Sequence, residues 1–63
     1  MQEGVVKSFN AARGFGFITP TNGGADVIFY VKELQNEIHE GDQVYFAVQN
    51  GKKGLNAVNV RHL

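Results

Sequence analysis

The residues of this chain best suited to chemistry are aromatic rather than ionisable. The stretch "RGFGFITP" (13–20) sets Phe15 and Phe17 one glycine apart in a strand-like run, just after Arg13. Residues i and i+2 of a β-strand share a face, so the two rings point together. Facing outward, they form a stacking pair beside a cation. Facing inward, they are two core side chains of a small β-protein. Taken alone, the stretch allows both.

Groups for covalent or metal chemistry form no comparable arrangement. His39 and His62 lack metal-ligand spacing, and no second cluster of His, Asp or Glu accompanies them, so they read as solvated surface side chains. Glu40 and Asp42 flank Gly41 at a turn, with no nucleophile beside them. Gly14-Phe15-Gly16 is a fragment of a dinucleotide fingerprint, without the third glycine or a following helix. The expectation is a protein that is not an enzyme and takes no cofactor, metal or small-molecule substrate.

Short β-like runs carry these residues. Strands are expected over 4–10, 15–19, 26–31, 43–49 and 55–63, with turn signals between them. "AARG" reads as a tight connection in which Gly14 takes positive φ. "PTNGGA" (20–25) is a polar turn, and "NGKKG" (50–54) a hairpin turn in which Asn50-Gly51 suits positive φ. The stretch 32–42 shows no alternation; it has room for a helical turn but is too short and polar for a packed helix. Five short strands in 63 residues favour a five-stranded antiparallel barrel, because closure removes the sheet edges a small protein cannot cover.

Alternation assigns a core of Val6, Ile18, Val27, Phe29, Val44, Phe46, Val48, Val58 and Val60. Adding Phe15 and Phe17 would overfill so small a lumen, which favours the outward reading. Poor alternation in the first strand keeps parity from deciding the matter.

One domain, residues 1–63, accounts for the length, and a domain this small buries only about 60% of its unfolded surface. The chain has no cysteine, no apolar run near a membrane span and no signal-peptide pattern at its amino terminus. A soluble cytoplasmic protein is expected, with no membrane partner. Formal net charge is zero, which argues against binding driven by charge alone. The charges are nonetheless segregated. Glu33, Glu37, Glu40 and Asp42 crowd one segment, whereas Lys7, Arg13, Lys52 and Lys53 lie outside it.

"GVVKSFNAARGFGFITP", then "DVIFYV", then "EGDQVYFAVQNGKKGLNAVNV" resembles a bacterial cold-shock domain from end to end. The family's first ribonucleoprotein motif, Lys/Arg-Gly-Phe-Gly-Phe-Ile/Val, is matched throughout by Arg13 to Ile18. The resemblance implies an OB-type barrel whose second and third strands form a platform for single-stranded RNA or DNA. It implies that Phe15 and Phe17 face out and stack on bases, and that Lys7, Arg13 and Lys53 hold phosphates. Gly14 and Gly16 are expected to keep side chains off the strand, so that a ligand backbone approaches closely.

The departures lie on the same platform. Ser8 stands where the family usually has tryptophan. Ile28 and Val31 replace two stacking phenylalanines, and Tyr30 replaces histidine. The connection from Gln35 to Gly41 is shorter than usual and lacks the aromatic often found there. The implied interface is therefore Lys7, Phe9, Arg13, Phe15, Phe17, Tyr30 and Lys53, with Ser8, Ile28 and Val31 as weaker candidates. The expected function is weak, sequence-tolerant, RNA-chaperone-like binding of open strands. The alternative is a protein-interaction or homodimerisation module that uses the same apolar patch.

Overall fold

The computed structural model describes every residue except Met1, Gln35, Lys52 and Lys53. Five strands are present: β1 (Gln2–Asn10), β2 (Phe15–Pro20), β3 (Val27–Tyr30), β4 (Gln43–Gly51) and β5 (Gly54–His62). They close into a barrel in the order β1-β2-β3-β5-β4. All pairings are antiparallel except β3–β5, which closes the barrel in parallel through Ile28–Asn56 and Phe29–Ala57. The all-β, OB-type barrel expected from the sequence is the observed fold.

The non-alternating stretch contains a single turn of 3-10 helix, Val31–Glu33. Beyond it, Ile38 is buried. This residue joins the core from the connection between β3 and β4, and its polar neighbours hid it from pattern reading. No helix among the described residues is long and apolar enough to cross a membrane.

Val6, Ile18, Val27, Phe29, Val44, Phe46 and Val60 are buried, as alternation requires. Val48 and Val58 are only half-buried, and Ala57 and Ile38 join the core in their place. For Val58 and Ala57 the cause is a bulge. Tyr45 pairs with Arg61, but Ala47 pairs with Val58, so Phe46 faces two residues of β5, Asn59 and Val60. Asn59 takes a left-handed conformation, φ 53°. An extra residue exchanges the inward and outward sets on either side of it, which puts Ala57 rather than Val58 inside.

A second bulge explains the poor alternation of β1. Val6 pairs with Ile18, yet Ser8 pairs with Phe17, which leaves Lys7 as the extra residue. Lys7 is exposed while Val6 stays buried. The β4–β5 hairpin also corrects an expectation. Asn50 and Gly51 continue the strand, paired with Leu55 and Gly54, and Gly54 is the residue with positive φ, 121°.

Candidate nucleic-acid interface

The register of β1, β2 and β3 decides which way Phe15 and Phe17 point. Directly opposed residues of an antiparallel pair lie on one face of the sheet. Val6, Ile18 and Val27 are mutual partners and are buried, so this row faces the lumen. The next residue along β2, Phe17, must face outward with its partners Ser8 and Ile28. Two residues further, Phe15 faces outward with Asn10 and Tyr30. The outer face of the three strands is thus built from two rows, Ser8–Phe17–Ile28 and Asn10–Phe15–Tyr30.

Phe17 and Tyr30 keep 37% and 36% of their surface exposed, and Phe15 is half-buried. The Phe15 and Phe17 rings meet edge to face, with centroids 6.1 Å apart at 87°. That is a favourable aromatic geometry, and it leaves ring faces open to a planar partner. The Arg13 guanidinium carbon lies 5.9 Å from the Phe15 centroid, within cation–π range. Arg13 sits in the tight β1–β2 connection, where its backbone N–H donates to Asn10 Oδ1 at 3.1 Å. Gly14 has φ 80° there, so the chain reverses without a side chain in a disfavoured conformation.

Gly16 departs from its expected role. It faces inward, and a Cβ there would come within 2.4 Å of the Ser8 carbonyl oxygen and 2.8 Å of the Phe29 ring. The close approach that requires glycine is internal to the barrel. Phe9 departs as well. It pairs with Gly16 rather than with the outward row, is half-buried, and packs on Phe29 with centroids 5.5 Å apart. It packs against the core, in the row opposite to that of Phe15 and Phe17.

Val31 is half exposed and lies outside both rows, at the start of the 3-10 turn. Its backbone N–H donates to the Gly14 carbonyl at 2.9 Å. Lys53, expected to hold phosphate, lies outside the described residues.

An open groove of about 980 Å³ runs over this face. Arg13, Phe15, Tyr30, Phe17 and Ile28 line one part of it, and Val48, Gly54 and Leu55 of the hairpin another. Leu55 is 50% exposed, and sequence reasoning missed it. An apolar side chain directly after a glycine-bounded turn was the available signal. Asp26, at the start of β3, also lines the groove. Lys7 Nζ donates to Asp26 Oδ2 at 2.9 Å, and the Thr19 hydroxyl donates to Asp26 Oδ1 at 2.9 Å. The Lys7 and Thr19 hydrogen bonds hold the Asp26 carboxyl below its ordinary range. No cluster of three or more potential metal ligands occurs among the described residues.

The family model of the 'cold-shock' DNA-binding domain matches residues 2–63. The chain belongs to that family. Cold-shock domains bind nucleic acid, and this chain is a nucleic-acid-binding protein; a protein-interaction module is not favoured. The major cold shock protein of Micrococcus luteus is 45% identical over 67 residues, with both chains fully covered. The cold shock-like protein CspA of Shewanella violacea is 48% identical over 61 residues, which are 90% of this chain and 87% of the relative. CspB of Escherichia coli K12 is 44% identical, over 90% of this chain and 86% of its own. Among solved structures, the Drosophila Unr CSD456 chain superposes with a TM-score of 0.81 and 29% identity. The match covers 98% of this chain and 26% of that one.

Phe17 stands between Ser8 and Ile28, flanked by a small polar and an aliphatic side chain rather than by rings. The Phe15 row keeps Tyr30.

Proposed function

We propose that this cold-shock domain binds single-stranded RNA or DNA by stacking bases on Phe15, Phe17 and Tyr30. Arg13 neutralises phosphate alongside, and the family resemblance assigns the same role to Lys53. The observation that carries the reading is the pair of outward rows, which put three aromatic side chains and a cation on one face of the barrel. A small protein that leaves phenylalanine on its surface forgoes the gain from burying it, and base stacking supplies a use for the exposed ring. Every base has a π-face, so such a platform tolerates sequence.

Bases are available for stacking only when unpaired. Binding therefore favours open strands and melts weak hairpins by mass action, as an RNA chaperone does, without a covalent step. Protein-side charge is small, so stacking rather than phosphate attraction dominates the selectivity. With Ser8 and Ile28 flanking Phe17, the platform offers fewer rings than family members with aromatics at those positions. At about 1–3 kcal/mol per stacked base, each missing ring costs roughly five- to 150-fold, and micromolar or weaker affinity follows for short strands at physiological salt.

The test is a fluorescence-anisotropy titration of a labelled thymidine hexamer at several salt concentrations, with duplex DNA of matched length as comparison. Sedimentation of the free protein runs beside it. Binding to the hexamer that weakens with salt and exceeds duplex binding supports the reading. Equal binding to duplex, or no binding with self-association through the aromatic face, refutes it.

A further inference from the structure

Arg13 and Asp26 are the only charged residues, among those described, that line the groove. They mark its two ends. Arg13 lies beside the Phe15–Tyr30 row, and Asp26 precedes Val27, the partner of Ile18 at the far end of the β2–β3 ladder. The second cation close to this face, Lys7, is at the Asp26 end and is not free. It is the extra residue of the β1 bulge, it is exposed, and its ammonium lies 2.9 Å from Asp26 Oδ2. Thr19 Oγ1 holds the other carboxylate oxygen, so the acid is fixed from two neighbouring strands.

We propose that Asp26 is an internal competitor that withholds Lys7 from the phosphates of a bound strand. Among the described residues that line the groove, phosphate neutralisation is thereby confined to the Arg13 end. The inference rests on the single-strand reading above and adds a determinant of how the strand is held. A phosphate that displaced Asp26 from Lys7 would gain one ion pair and lose another, and would leave a carboxylate facing a polyanion. The exchange has no net electrostatic gain. Nor does it give the full counterion release of a contact made by a free lysine, so Lys7 adds little to the salt dependence of binding. The wild-type groove is polarised, with a cationic end at Arg13 and a neutral end at Lys7–Asp26.

The experiment is a double-mutant cycle on oligothymidine affinity, read as the slope of log K against log salt. Asp26→Asn frees Lys7 and should steepen the slope by about 0.7, the value for one single-strand phosphate contact. If the affinities converge at 1 M salt, that slope corresponds to about eightfold tighter binding at 50 mM. Lys7→Gln should leave the slope nearly unchanged in the wild-type background and flatten it by about 0.7 in the Asp26→Asn background. Thr19→Val, which removes only the second hold on the carboxylate, should move the slope in the same direction by less. Glu40→Gln, an exposed charge outside the groove, should not move it.

Equal flattening by Lys7→Gln in both backgrounds would show that Lys7 reaches phosphate despite Asp26, and would overturn the inference alone. So would a Glu40→Gln effect as large as that of Asp26→Asn, because net charge would then explain both. Failure of every variant and the wild type to bind oligothymidine would remove the single-strand reading, and this inference with it.

Discussion

Phe17→Ala separates an exposed stacking ring from a core ring, because the two predict different pairs of numbers. Phe17 keeps 37% of its surface open, so about three-fifths of its transfer term is at stake on truncation. Full burial of a phenylalanine contributes about 1.5–3 kcal/mol, which makes the expected stability loss about 1–2 kcal/mol. No cavity term is added, because the space left opens into solvent. A core phenylalanine would cost about 3–5 kcal/mol. In a domain of this size each kcal/mol moves the melting midpoint by about 4–8 °C, so thermal and urea unfolding both resolve the difference. On the binding side, loss of one stacked base costs about 1–3 kcal/mol, a five- to 150-fold weaker Kd for oligothymidine. The reference is Phe29→Ala, fully buried, which should fall in the core range or fail to fold. If Phe17→Ala loses as much stability as Phe29→Ala, the outward assignment fails. If it leaves affinity unchanged while the protein stays folded, stacking at this row is refuted.

Restoring rings to the depleted row should strengthen binding: Ser8→Trp with Ile28→Phe is expected to gain at least about tenfold for oligothymidine, provided urea unfolding shows an intact barrel. Neither position belongs to the buried core, so the added rings need not enter the lumen. At Asn59, φ 53°, Asn59→Gly should be close to neutral, whereas Asn59→Val should cost about 1–2 kcal/mol in urea unfolding, because a β-branched residue resists the left-handed region. The Lys7 and Thr19 hydrogen bonds depress the pKa of Asp26 below its ordinary value of 3.8. A depressed acid stabilises the fold above its unfolded pKa and loses that contribution as pH falls through its folded value. Melting of wild type against Asp26→Asn should therefore show a wild-type advantage at pH 7 that holds down to about pH 4 and disappears only below it. An advantage that fades between pH 8 and 5 would assign the effect to other groups.

The barrel was legible because period-2 alternation survives in most of its strands. Where it fails, the failure has a location. Lys7 and the Asn59–Val60 pair are extra residues in their strands, and a one-residue slip exchanges the two faces. Sequence parity carried through β5 unbroken selects Val58 for the core, while the bulge selects Ala57, a smaller side chain with a weaker signal. Ile38 escaped for a different reason. It comes from a connection rather than a strand, and no periodicity marks a single apolar residue that enters the core from a loop.

The candidate site was legible to the extent that its residues lie on one strand or directly beside it. Phe15, Phe17 and Arg13 are read together because i, i+2 spacing forces the rings to one side, and the ladders with β1 and β3 confirm the side. What spacing within a strand cannot supply is cross-strand register, and the bulge at Lys7 controls it here. Without that bulge Lys7 would lie across from Phe17 and Phe9 across from Phe15, and β1 would add a ring to the outward face. With it, Phe9 turns in to pack on Phe29, and Ser8 takes the outward place. The extra residue is Lys7, whose ammonium pairs with Asp26. The irregularity thus removes an aromatic from the outward face at a residue whose charge is already held by an acid. In the proposed binding mode, affinity then depends mainly on the Phe15–Tyr30 row, on Phe17 and on Arg13.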